Sequence, residues 1–129
     1  MPAVPKPKRG KKTIDNRDKC MILAKRICRS VGICRSCGRP GFPGHEIEAA
    51  HIIPVRHLNT AADTWNLIPL GHSCHSHYTR NPIEFESFME RIAPGRVSTL
   101  KALARVKKDI DWEVIFYKLK GEAKVAGVL

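Results

Sequence analysis

The sequence predicts a small α+β domain in which two short strands and a cysteine-bearing metal knuckle lie between amphipathic helices. Three observations carry this reading. Apolar residues recur at helical spacing toward both ends of the chain, two brief apolar runs near its middle meet prolines, and a Cys-x2-Cys pair is answered 36 residues later by a second group of soft ligands. At 129 residues, with 43% apolar and 27% charged side chains, there is room for one domain with tails, and a disordered or collagen-like chain is excluded.

Residues 1–13, MPAVPKPKRGKKT, alternate proline with basic side chains and offer almost nothing to bury. They predict a disordered arm whose Lys6, Lys8, Arg9, Lys11 and Lys12 track a phosphate backbone. Residues 14–32 predict a helix that opens at Asp15 and stops at Gly32, with Ile14, Met21, Ile22, Ala24, Ile27 and Val31 near helical spacing. Its other face carries Arg17, Lys19, Lys25, Arg26 and Arg29, suited to a nucleic-acid backbone. Cys20 and Cys28 have no partner at ligand spacing and are expected as small core residues.

The segment GRPGFPGH, residues 38–45, means turns, and leaves His45, like His57, as a loop residue. Residues 46–53 have β character ended by Pro54. Residues 66–70 form a second run broken by Pro69, and a long irregular loop, 55–65, joins the two. Residues 73–80 give a short His-rich helix. Asn81-Pro82 then opens a helix with Ile83, Phe85, Phe88, Met89 and Ile92 on one face, stopped by Pro94-Gly95. Ser98 caps a further helix with Leu100, Leu103, Ala104 and Val106 inward. Residues 109–120 supply the last amphipathic segment, around Trp112, Ile115, Phe116 and Leu119, before a frayed EAKVAGVL. The organisation is therefore an arm, 1–13, and one domain, 14–129, made of a basic helix (14–32), a core (33–82) and C-terminal helices (83–129).

The net charge of +11 is unevenly placed, since residues 1–40 hold 12 basic and 2 acidic side chains whereas residues 41–129 hold 11 and 10. A polyanionic partner follows, nucleic acid before membrane. No stretch approaches the ~20 apolar residues of a membrane span, and the N-terminus has no secretory signal. The expected location is the cytoplasm, that of the host cell if phage-encoded. Five cysteines in a reducing compartment favour metal over disulfides.

Cys34 and Cys37 sit on the turn CRSCG, the geometry of a zinc knuckle. A structural Zn2+ needs four ligands, and HSCHSH at residues 72–77 supplies Cys74 as the third. The fourth is His77, one helical turn further on, or alternatively His72. The separation between Cys37 and Cys74 disfavours a C2H2 finger.

Between these ligands lie EAAHIIP (48–54) and WNLIPL (65–70), followed by Cys74-His75 and, at residues 80–82, RNP. Over residues 34–82 the sequence resembles the HNH endonuclease superfamily, in particular small phage-type members with zinc knuckles. The resemblance implies a ββα-metal unit that hydrolyses DNA phosphodiester bonds, with double-stranded DNA as the substrate. Residue by residue it implies His51 as the general base, Asn66 as the brace that orients it, and His75 as a ligand of a catalytic Mg2+ or Mn2+. Three positions depart from the pattern. Ala50 stands where many relatives place a second metal ligand, and Glu48, on the same strand face, is the replacement. Thr79 stands at a further ligand position, and Gly71 where a second knuckle would begin with cysteine. Arg56 and Arg80 would flank the catalytic face and clamp phosphates. Two functions stay open: a metal-dependent endonuclease, or a catalytically inactive zinc-stabilised DNA-binding module on a degraded HNH scaffold.

Overall fold

The computed structural model describes residues 15–129, so the basic arm and its five cations lie outside the described residues. The first helix, α1, spans Asn16–Arg29 and is capped by Asp15, whose carboxylate accepts from the Asp18 N–H at 2.8 Å. It buries Cys20, Leu23, Ala24 and Cys28, while Ile22 and Val31 remain 46% and 57% exposed. The inward stripe is thus rotated from the expected one. The two cysteines belong to it as small core residues; burial pushes the Cys28 thiol up to about 12.

A two-stranded antiparallel sheet follows, β1 (Ile47–His51) and β2 (Leu67–Gly71), in register from Ile47 opposite Gly71 to His51 opposite Leu67. Pro69 does not break β2. It lies opposite Ala49, and its carbonyl accepts from the Arg35 N–H at 2.9 Å on the outer edge, where the strand owes its partner no N–H. Both faces of the hairpin are covered. Leu67 and Ala49 join the cluster of Cys20, Leu23, Ala24 and Cys28, whereas Ala50, Ile68 and Leu70 join Cys34, Phe88, Met89 and Val97. A strand buried on both sides has no polar alternation, which is why β2 reads as one short apolar run.

The connection between the strands is more ordered than the expected irregular loop. It contains α2 (Leu58–Ala61) and a 3-10 turn (Thr64–Asn66), the latter capped by Asp63 accepting from the Trp65 N–H at 2.9 Å. Four helices complete the chain: α3 (His72–Arg80), α4 (Pro82–Ile92), α5 (Arg96–Arg105) and α6 (Trp112–Ala126). Gly95, at φ 81°, precedes α5, so Ser98 lies inside its first turn and is not the cap. Val97 and Leu100 point inward there, and Leu103 and Val106, expected inside, are exposed. The helix α6 runs past the expected end at residue 120, packs along α1, and closes at Gly127 (φ 75°), where the Val128 N–H reaches the Ala123 carbonyl at 3.0 Å. The class is α+β, as the sequence predicts, and among the described residues no helix is long and apolar enough to cross a membrane.

Candidate metal centre and catalytic face

The Cys34–Cys37 turn is tied to the outer edge of β2 by the bond from Arg35 to Pro69, and is closed by the Gly38 N–H donating to the Cys34 carbonyl at 2.9 Å. Cys74, on the first turn of α3, meets it from the other side. The fourth group is His45. Ligand atoms of Cys34, Cys37, His45 and Cys74 all lie within 4.8 Å of one another, and His45 Nε2 is 3.3 Å from Cys37 Sγ. A tetrahedral zinc with ~2.3 Å Zn–S bonds sets its sulfurs ~3.8 Å apart, so this donor set fits a structural zinc site. Burial alone would raise the Cys34 thiol, but the amides of Cys37, Gly71 and Ser36 outweigh it and bring it down to about 6. Cys74 is pushed up to about 11 by burial and by the Cys34 sulfur beside it.

The expectation of His77 or His72 as the fourth ligand is therefore corrected. His77 Nε2 pairs with Glu84 at 3.0 Å, and His72 faces Glu48. His45, expected as a loop residue, is 3% exposed, and its Nδ1 contacts Ser73 Oγ, which turns Nε2 toward the thiols. Gly71 explains the exchange. A Cβ built there would lie 2.0 Å from His45 Nε2, so the imidazole fills the space that a side chain at position 71 would need. Residue 71 therefore carries no side chain, and residue 45 supplies the fourth donor.

His51 ends β1, half-buried, with Nε2 2.8 Å from the Ala61 carbonyl oxygen. A carbonyl only accepts, so Nε2 carries the proton and Nδ1 of the neutral ring keeps its lone pair. Burial holds the imidazole below its ordinary range despite the Ala61 bond, and the charges of Lys25 and His75 act in the same direction as burial. Asn66 is fully buried and uses its whole amide. Oδ1 accepts from Ile53 N–H at 2.7 Å, and Nδ2 donates to the carbonyls of Ile53 (3.1 Å) and Thr60 (3.0 Å). It pins both ends of the segment that delivers Ala61 to His51.

On α3, His75 Nδ1 is 3.0 Å from Glu48 Oε1, and His72 Nδ1 is 3.2 Å from Glu48 Oε2. The carboxyl group pays a desolvation cost that would raise it, yet the two imidazoles hold it below the usual carboxylate range. Glu48, His72, His75, Ser76, Thr79 and Arg80 line one open concavity. Ala50 is 2% exposed and belongs to the apolar cluster with Ile68, Phe88 and Met89, so a carboxylate there would be buried among hydrocarbon. The Thr79 hydroxyl donates to the His75 carbonyl at 2.9 Å. Arg26 and Arg56 are exposed on α1 and before α2, apart from that concavity's lining.

Sequence reasoning did not single out Arg96. From α5 its guanidinium donates to the carbonyls of Trp65 and Leu67, the two neighbours of Asn66, and lies 5.4 Å over the Trp65 ring. No spacing rule links residue 96 to residue 66, so only the fold reveals it.

Residues 34–81, which span the knuckle, the hairpin and α3, match the family model described as HNH endonuclease. No curated protein and no solved structure matches the chain. The segment is thus similar to an HNH endonuclease domain, and it carries the Cys3His donor set at one end with His51, Asn66 and His75 around the hairpin.

Proposed function

With an HNH domain at residues 34–81 as the premise, we propose that this protein is a metal-dependent endonuclease that hydrolyses phosphodiester bonds in double-stranded DNA in the cytoplasm. The observation that carries the reading is His51: a half-buried, neutral imidazole whose proton is committed to Ala61, leaving Nδ1 as the base. His51 takes the proton of the attacking water. Asn66 does no chemistry; it fixes the backbone that sets the tautomer of His51.

His75 and Glu48 would hold the catalytic cation, Mg2+ or Mn2+, and Cys34, Cys37, His45 and Cys74 the structural Zn2+. The catalytic cation supplies charge neutralisation for the scissile phosphate and for the departing 3′ oxygen. Arg80 lies beside that pair and suits a phosphate oxygen; Arg26 and Arg56, with Lys6, Lys8, Arg9, Lys11 and Lys12 of the arm, provide sequence-independent backbone affinity. The inactive-module reading draws on Ala50, Thr79 and Gly71. The burial of Ala50 and the packing of His45 over Gly71 supply physical reasons for two of them that do not require lost activity. Plasmid cleavage by the zinc-loaded protein, tested with Mg2+ and with Mn2+, decides between the readings. Cleavage that needs His51 supports the endonuclease, and salt-sensitive binding without cleavage supports the module.

A further inference from the structure

We infer that His72 completes the catalytic cation site with Glu48 and His75, giving two imidazoles and one carboxylate, and that this set selects Mn2+ over Mg2+. The inference rests on the endonuclease reading for the cation's purpose, but not for its binding. The starting point is β1, where the methyl group of Ala50 is buried and Glu48 is the only carboxylate. The strand supplies one anionic ligand, and any others must come from α3.

The helix offers two. His72 and His75 stand three residues apart and so on one side of the first turn, each with Nδ1 toward the same carboxyl group, at 3.2 and 3.0 Å. Ligand atoms around a six-coordinate cation with ~2.1 Å bonds stand ~3.0 Å apart, close to these separations. The start of α3 is also fixed against the hairpin, because the His72 N–H donates to the Glu46 carbonyl at 2.9 Å. His72 is therefore held beside β1 by its backbone while its side chain, 57% exposed, stays free to turn. Turning is needed. Among the described residues only the Cys3His set closes to within 4.8 Å throughout, so His72 and His75 close in on the ion as it binds. As plain ion pairs at these exposures the two contacts would contribute little to stability. One face of the concavity stays open beside Thr79 and Arg80, which leaves positions for water and a phosphate oxygen.

Ligand identity sets the preference. Mg2+ favours all-oxygen surroundings and keeps its waters, whereas imidazole nitrogen suits first-row transition metals. With His72 in place the site has two nitrogens to one carboxylate, and without it one to one.

The test is calorimetric titration of the full-length, zinc-loaded protein with MnCl2 and, separately, MgCl2, with zinc content measured afterwards. The expected result is one Mn2+ site per chain, tighter than Mg2+ binding. His72→Ala should weaken Mn2+ binding at least tenfold and leave Mg2+ binding within about twofold, on the scale that lost metal-site groups show. Glu48→Gln should weaken both, and His51→Ala neither. A His72→Ala protein that keeps its zinc and binds Mn2+ as the parent does would overturn the inference, as would a parent with no Mn2+ site. If the binding pattern holds and no DNA is cut, the endonuclease reading fails and the cation site stands.

Discussion

The Nε2 of His51 lies 2.8 Å from the carbonyl oxygen of Ala61, the last residue of a four-residue helix whose preceding residue, Thr60, is held by the side chain of Asn66. His51 and Asn66, the proposed base and its brace, share no hydrogen bond. Their coupling runs through the backbone: Asn66 to Thr60, Thr60 to Ala61, Ala61 to the imidazole. Arg96 extends it by gripping the carbonyls on either side of Asn66. One helix outside the HNH match, α5, therefore braces the backbone that meets the His51 imidazole.

Asn66→Ala should cost both stability and rate. Three buried hydrogen bonds go; the Ile53 N–H and the Ile53 carbonyl lose their partner while the Thr60 carbonyl keeps the Asp63 N–H, a loss of about 2 to 3 kcal/mol at ordinary penalties for unsatisfied buried groups. Urea denaturation of the zinc-loaded protein measures it. Asn66→Asp keeps the acceptor for Ile53 but sets a carboxylate oxygen against two carbonyls, and should be no more stable than the alanine variant.

The pH dependence follows from the lowered imidazole of His51. Burial favours its neutral form, so the base stays competent at lower pH than a free histidine would. The acid limb of kcat/KM should fall below the ordinary value of 6.5, as read from a pH–rate profile. The same shift links to stability. Because the folded-state value is depressed, the contribution of His51 is present above the unfolded value and is lost as pH falls through the folded one. An acid limb at or above 6.5 would contradict this.

Gly71→Ala should release zinc, because the new methyl carbon would meet His45 Nε2 at 2.0 Å and displace a ligand. A fall in zinc affinity of at least tenfold, read by competition with a chelator, is expected. Pairing Gly71→Cys with His45→Ala should recover much of it, since the thiol then occupies the space the imidazole leaves. If Gly71→Ala binds zinc like the parent, His45 is not the fourth ligand.

Deleting residues 1–13 removes five of the basic side chains and should leave zinc binding intact. The slope of log affinity for DNA against log salt should shrink by about 4 to 5, near 0.9 per lost phosphate contact. An unchanged slope would remove the arm from the interface.

The resemblance that assigns His51, Asn66 and His75 their proposed roles rests on local strings, HIIP, WNLIP and CHS, whose order can be read without knowledge of the fold. The knuckle was legible for the same reason. His45 was not, because a glycine- and proline-rich turn hid that it doubles back on Cys37, although a glycine at residue 71 marked the space it fills. The stripe of α1 was displaced because Cys20 and Cys28, small and buried, count weakly in an apolar pattern that Ile22 and Val31 extend in sequence but not in the fold. Pro69 read as a break because an outer edge and an inner edge of a strand look alike in sequence; only the partner at Arg35 tells them apart.

The most direct test is supercoiled-plasmid nicking by the zinc-loaded protein with Mn2+, comparing the parent with His51→Ala at equal zinc content. The account predicts nicking by the parent and a loss of roughly 10²- to 10⁴-fold in the variant, the range for a removed general base. Equal rates in the two proteins would contradict it.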